Sequence, residues 1–270
     1  MGEVVLSSFN PYSDRYPNRR VITREQLHLS KILRAQGLQV RVGGVAKYEL
    51  NYLAVKGLRE WLGDPIVVVA LSMPLGVISG FIGNALYDLV KGRKPKPTDV
   101  LIELDESGSR SHYASDGRPL SQEEFTTLVS SMNGRYRIAH PAPVNSPDPA
   151  RPVPVYLEHM DRIVAWGRLA IDDYGLRVDD ARVVDDETWE RLSDGSLSGM
   201  SIGALVRKSR CSVCGQSYFD CPHLSGEQYD GVPCVVHIED LDLGEVSIVR
   251  NPVNPSARIT RLGPDSRDVG

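Results

Sequence analysis

The sequence predicts an α+β protein of two domains: an N-terminal α/β module, then a β-rich, barrel-like domain with a metal-binding loop inserted in it. Three observations lead there. Strand-like and helix-like runs alternate as far as about residue 134. The stretch "HPAPVNSPDPARPVPV", with six prolines in sixteen residues, then interrupts the chain as a stiff linker or extended arm. Beyond it, short apolar runs are broken by Asp-Asp and Tyr-Gly, and all four cysteines fall between Cys211 and Cys234. The expected boundaries are 1–134 for the module, 135–154 for the linker and 155–262 for the second domain, with the Cys/His insertion at 209–234.

Each element follows from local pattern. "EVVLSSF" reads as a short strand. "TREQLHLSKILRAQG" has helical spacing at Leu27, Leu29, Ile32 and Leu33 and stops at Gly37, and "LQVRVGG" alternates as a strand does. "YELNYLAVKGLREWLG" reads as a second helix. Ile66 to Tyr87 carries no charge and is long enough to cross a bilayer, so a membrane contact through 66–87 is the rival reading. Ser72 and Pro74 look like a cap and a first-turn proline, which splits the run into a buried strand, Ile66 to Leu71, and a helix from about Leu75 to Lys91. "KPKPTD" is a basic turn and "VLIELD" a strand; "SQEEFTTLVSSMNG" opens on a capping box, Ser121 to Glu124, and ends at Gly134.

In the second domain, "RIVAWGRLAIDDYGLRVDDARVV" suits a β-meander or barrel. "DDETWERLSDG" is a short helix with an Asp cap, and "LSGMSIGALV" and "LDLGEVSIVRNP" are strands of one sheet.

Bulk composition narrows the function classes. Hydrophobic residues make up 41% of the 270 and charged residues 24%, as in an ordinary globular protein. A net charge of −4 argues against a protein that coats nucleic acid, so no nucleic-acid partner is expected. Clustered cysteines do not make a secreted disulfide framework. The N-terminus has no basic region leading into an apolar core, and Leu6 stands where a myristoylation signal needs Ser or Thr.

Cys211-x2-Cys214 is followed by Cys221-x-His223. Two close pairs of soft ligands suit a tetrahedral ion, because each pair closes a small chelate turn. Zn2+ held structurally by Cys211, Cys214, Cys221 and His223 is the expected cofactor, with Cys234 able to replace Cys221 or His223.

In "SGMSIGA", Gly199 and Gly203 flank Ser201, but the G-x-S-x-G spacing of the hydrolase elbow is missing. Small residues around a serine more often mark a tight strand edge. His159 in "YLEHMDRIVAWGR" and Glu245 in "LDLGEVSIVRNPVNPSARI" complete an order His, Ser, acid on separate β segments. On a strand, Glu245 and Ser247 share one face and Val246 and Ile248 the other.

These stretches carry a family resemblance. "EHMDRIVAWGRLAIDDYGLRV", "ERLSDGSLSGMSIGALV", "DLDLGEVSIV" and "NPVNPSARI" together resemble the prohead proteases of tailed bacteriophages, which process capsids and are related in fold to the herpesvirus assembly proteases. The likeness covers about 100 of the 270 residues, from about His159 to Ile259. It implies a serine endopeptidase with Ser201 as nucleophile and His159 as general base. The third member implied is Glu245, with Asp240 and His237 as rivals, and Ser198 is a weaker alternative nucleophile. Capsid or scaffold chains are the implied substrates, self-cleavage near Pro141 to Pro154 is expected, and the setting is a homo-oligomer in a bacterial host's cytoplasm. The chain departs from the family in its front module, which leaves a non-enzymatic metal-stapled adaptor or a membrane-associated effector as the alternatives.

Overall fold

In a computed structural model, the structure describes residues 3–8, 10, 12–13, 16–55, 66–71, 75–89, 100–106, 109–135, 152–160, 162–173, 175–252 and 254–263. In chain order the elements are β1 (Glu3–Leu6), β2 (Arg19–Thr23), α1 (Arg24–Ala35), β3 (Gln39–Val42), β4 (Glu49–Val55), β5 (Ile66–Leu71), α2 (Leu75–Leu89), β6 (Val100–Glu106), β7 (Ser109–Ala114), β8 (Pro119–Leu120) and α3 (Gln122–Arg135). There follow β9 (Val153–Leu157), β10 (Ile163–Asp172), β11 (Gly175–Val183), α4 (Asp186–Ser193), β12 (Gly199–Cys211), β13 (Gln228–Tyr229), β14 (Val232–Pro233) and β15 (Val236–Val249). The protein is mixed α+β and rich in sheet.

Two compact units interleave along the chain. One comprises Met1–Leu53, Trp61–Tyr136 and Val206–Leu241; the other comprises Ala54–Glu60, Arg137–Leu205 and Asp242–Gly270. The long strands β12 and β15 each contribute to both. The Cys/His loop therefore groups with the N-terminal elements.

The first unit is built on a six-stranded mixed sheet in the order β3-β1-β5-β6-β7-β8. Val4, Leu6, Val68, Val100, Ile102 and Leu104 on this sheet pack with Leu29 and Leu33 of α1 and Ile78 and Ile82 of α2. Leu101 and Ala114 instead pack with Leu120 and Phe125, the latter from α3. Alternating strand residues thus serve different clusters, as a period of two requires. α1 begins at Thr23, whose hydroxyl accepts from the Gln26 N–H while the Gln26 side chain accepts from the Thr23 N–H. It ends before Gly37, whose φ of 86° suits a residue without Cβ. The capping box on α3 forms as its sequence indicates: the Glu124 N–H donates to Ser121 Oγ at 3.1 Å and the Ser121 N–H to the Glu124 carboxylate at 2.8 Å.

The uncharged run from Ile66 divides into a six-residue strand and a 15-residue helix. Among the described residues no helix is long and apolar enough to cross a membrane. The basic turn "KPKPTD" and residues 136–151 of the expected linker lie outside the described residues, while Val153 and Pro154 at the linker's end belong to β9.

An expected helix is a strand in the structure. Residues 49–55 form strand β4, not a helix, pairing parallel with β2 from Arg19↔Glu49 to Thr23↔Leu53. Leu50, Leu53 and Ala54 recur at helical spacing while Leu50, Tyr52 and Ala54 recur at strand spacing, and pairing with β2, itself unforeseen, decides between them. Buried Asn51 donates to the Val206 carbonyl, so β12 continues the same sheet.

In the second unit the strand order is β11-β10-β9-β15-β12. Its core joins Val155, Leu157, Val164, Ala165, Leu192, Leu197 and Ile248. α4 starts at Asp185, whose carboxylate accepts from the Thr188 N–H at 2.9 Å. The barrel-like expectation is corrected to an open sheet: no barrel closes among the described residues. The edge strand β11 has no fully buried position, so it offers no inner face on which a barrel could close.

Candidate active site and metal centre

The first cluster grows from three neighbouring strands of the second unit. β9 is buried at every position and pairs parallel with β15, placing Val246 beside Val155, Ser247 beside Tyr156 and Ile248 beside Leu157. The chain then turns sharply. Glu158 and His159 both adopt left-handed backbone conformations, with φ of 48° and 60°. For non-glycine residues this costs about 1–2 kcal/mol each. Surrounding bonds hold the turn: the Glu158 N–H donates to the Ile248 carbonyl at 2.9 Å, the Met160 N–H to the Leu157 carbonyl at 2.8 Å, and the Arg250 N–H to the Glu158 carboxylate at 3.0 Å.

The turn aims His159 at β15. His159 Nδ1 lies 2.5 Å from Glu245 Oε1, a contact between residues 86 apart in sequence. A carboxylate only accepts, so the neutral imidazole carries its proton on Nδ1 and keeps its lone pair on Nε2. Glu245 is 1% exposed, and an ionised carboxylate so buried needs partners for both oxygens. Ser247 supplies the second, donating its hydroxyl to Glu245 Oε2 at 2.5 Å. The same Ser247 oxygen accepts the His159 backbone N–H at 3.3 Å.

Ser201 is the third residue of β12, the strand next to β15, and is buried. Its segment is packed from outside by the chain after β15. The Met200 N–H donates to the Ala257 carbonyl at 2.8 Å and the Ile259 N–H to the Ser198 carbonyl at 3.0 Å. A Cβ on Gly199 would stand 2.4 Å from Pro252 Cδ, so only glycine fits there. His159, Glu245 and Ser201 thus come from the end of β9, from β15 and from β12, which are adjacent in the sheet. The alternatives sit elsewhere. Asp240 pairs with Arg207 at 2.6 Å, His237 is exposed, and Ser198 Oγ accepts from Arg258 at 2.9 Å.

The second cluster lies in the first unit. The ligand atoms of Cys211, Cys214, Cys221 and His223 are all within 4.8 Å of one another. Cys211 Sγ is 3.6 Å from His223 Nδ1 and 3.7 Å from Cys234 Sγ. Two ligands at about 2.0–2.3 Å from a tetrahedral ion stand roughly 3.3–3.8 Å apart, so these spacings suit metal binding. All four cysteines are free, and Cys211, Cys221 and Cys234 are buried.

Local turns build this cluster. Gly215, with φ 71°, donates its N–H to the Cys211 carbonyl at 2.9 Å and closes the Cys-x2-Cys turn. Burial alone would raise the Cys211 thiol, but the amides of Cys214 and Val213 donate to its sulfur and, with the neighbouring thiols, lower it to about 6. Burial, with the hydrogen bond and charge of Cys211, pushes Cys234 the other way. The β13–β14 hairpin turns on Asp230 and Gly231, both at positive φ, and returns the chain to Cys234.

Helix α1 closes over the loop. The Lys31 ammonium donates to the His223 carbonyl at 2.8 Å and to Cys221 Sγ at 3.4 Å, and sits 3.3 Å from the centre of the Tyr218 ring. The Tyr218 hydroxyl lies 2.9 Å from His28 Nε2 and accepts the Ser225 N–H at 2.8 Å. A buried cation beside a thiolate-rich site offsets its negative charge, so the donor set and its surroundings fit a structural metal. Sequence reasoning missed Lys31, His28 and Tyr218, since nothing local links α1 to the cysteines. It placed Ser247 on the face of Glu245 without giving it a role; the polar–apolar alternation in "GEVSIV" was the available signal. Compared with protein-family models, curated proteins and solved structures, the chain matches none.

Proposed function

We propose that the protein is a serine endopeptidase of the prohead-protease type, acting on capsid or scaffold-like chains of an assembly and on its own proline-rich arm. The observation that carries this reading is the buried His159–Glu245 contact at 2.5 Å, held by a strained turn, with the buried Ser201 on β12, the strand that neighbours β15. A carboxylate at Nδ1 prepares Nε2 to take a proton from a serine hydroxyl. In the proposed reaction, Ser201 Oγ attacks the scissile carbonyl carbon while His159 Nε2 takes its proton. His159 then returns that proton to the leaving amine, and water hydrolyses the acyl-enzyme by the same route. Glu245 holds the imidazole and stabilises its charged form. We further propose that the metal at Cys211, Cys214, Cys221 and His223 is zinc in a structural role, since every donor is a side chain and soft thiolates predominate.

The test compares the wild-type protein with Ser201→Ala. A fluorophosphonate probe should label the wild type at Ser201, and the wild type should process its own chain or co-expressed capsid-like chains. Ser201→Ala should do neither while keeping its melting temperature. Equal processing by both proteins would remove the peptidase reading and leave a metal-braced adaptor.

A further inference from the structure

We infer that Ser247 is a positioning residue of the active site, the clamp that ties Glu245 and His159 into one rigid unit; this rests on the peptidase reading above. Its hydroxyl is placed to do two things at once. It donates to Glu245 Oε2 at 2.5 Å and accepts the His159 backbone N–H at 3.3 Å. Glu245 Oε1 meets His159 Nδ1 at 2.5 Å. The three contacts close a ring: His159 main chain, Ser247 hydroxyl, Glu245 carboxylate, His159 imidazole. His159 is therefore gripped by its backbone and by its side chain through a single pair of strand residues.

The ring answers two physical demands. His159 sits at φ 60°, and a residue so placed relaxes unless its surroundings hold it. The bond to the His159 N–H is part of that hold. Glu245 would otherwise keep one oxygen buried without a donor, and a carboxylate bound through one oxygen can swing about its terminal torsion. Ser247 is 0% exposed, so no solvent water reaches its hydroxyl as a substitute partner. The spacing is built into β15. Residues 245 and 247 share a face, while Ile248 points into the apolar cluster of the second unit. A slip of one residue would turn both polar groups away together.

Three measurements test the clamp. In wild-type protein, proton NMR should show a far-downfield His159 Nδ1–H line and a slowly exchanging Ser247 hydroxyl proton; absence of the hydroxyl signal overturns the inference without any variant. For the folded Ser247→Ala variant, fluorophosphonate labelling of Ser201 should lose roughly 10- to 100-fold in kinact, the effect of misplacing a catalytic group by a fraction of an ångström, with KI within about twofold of wild type. Its His159 line should shift upfield and exchange faster. Ser247→Thr, which keeps the hydroxyl, should restore both the rate and the line. Unchanged kinact and an unchanged line in Ser247→Ala would overturn the inference. Failure of the probe to label wild-type protein would instead sink the peptidase reading, while the two proton signals would still decide whether the ring exists.

Discussion

The protein buries two polar clusters, and they are assembled in opposite ways. The Cys/His cluster is local: its donors lie within one loop and its turns are closed by Gly215 and by the Asp230–Gly231 hairpin. The His159–Glu245–Ser247 cluster is non-local: it joins residues 86 and 88 apart and exists only because β9 and β15 pair in one register. A local chelate tolerates small shifts of the scaffold, since the ion gathers its own ligands. A cross-strand hydrogen-bonded ring tolerates little, because its geometry is set by the sheet. The first arrangement suits holding a structure, the second suits orienting a reacting group.

The sharpest way to break that contrast is to disable each cluster and read the other. Glu245→Gln keeps the shape of the side chain but removes its charge. It should cut Ser201 labelling by roughly 10^3- to 10^4-fold, as expected when the imidazole loses its orienting carboxylate. Metal content, read by elemental analysis, should stay the same. Loss of metal in this variant would show that the clusters are not independent.

Metal removal is the converse experiment. Chelation, or Cys221→Ser, should abolish stoichiometric metal and lower the melting temperature by about 10 °C or more, since several kcal/mol of folding energy goes with a structural ion. The far-downfield His159 proton should survive in the native baseline. Retained stoichiometric metal in Cys221→Ser would transfer its place in the ligand set to Cys234, 3.7 Å from Cys211.

A smaller effect comes from His28. Burial first, and the charges of Arg24 and Lys31 second, lower its pKa to about 4 from an ordinary 6.5. The unfolded chain therefore binds a proton between those values that the folded protein refuses, so stability rises with pH across this window. The contribution is complete above about pH 6.5 and is lost as pH falls toward 4, on the order of 3 kcal/mol. Urea unfolding at pH 7 and pH 4.5 should show a smaller loss in His28→Gln than in wild type; equal losses would assign the acid sensitivity to other groups.

The mildest perturbation is Lys31→Met, which keeps the length of the side chain but removes the cation beside Cys221. Metal affinity should fall roughly tenfold, the lower end of what outer partners of a metal site contribute. Competition with a chromophoric chelator would measure it, and unchanged affinity would reduce Lys31 to a packing contact with Tyr218.

Legibility in the sequence followed the same local and non-local division. The capped helices α1, α3 and α4 could be read because caps and 3.6-residue spacing act within one or two turns. The metal ligands could be read because Cys-x2-Cys and Cys-x-His each form a chelate turn. β4 could not, because its apolar residues satisfy both periods, Leu50, Leu53 and Ala54 the helical one and Leu50, Tyr52 and Ala54 the strand one, and the partner strand β2 was unrecognised. Glu245, Asp240 and His237 all lie on one strand, and composition does not rank them. Only Glu245 meets His159, while Asp240 is taken by Arg207.

By itself the sequence determined the capped helices and their ends, strands such as β1, β3 and β6, the division of the uncharged run into strand and helix, and a loop able to chelate an ion. These depend on neighbours a few residues apart, whose relations are written directly in their order. The tertiary structure alone decided that β4 is a strand, that the sheets stay open among the described residues, that α1 covers the Cys/His loop, and that His159, Glu245 and Ser247 close a ring. Those outcomes depend on strand register and on which surfaces meet, and both are settled by burying apolar side chains cooperatively across the whole chain.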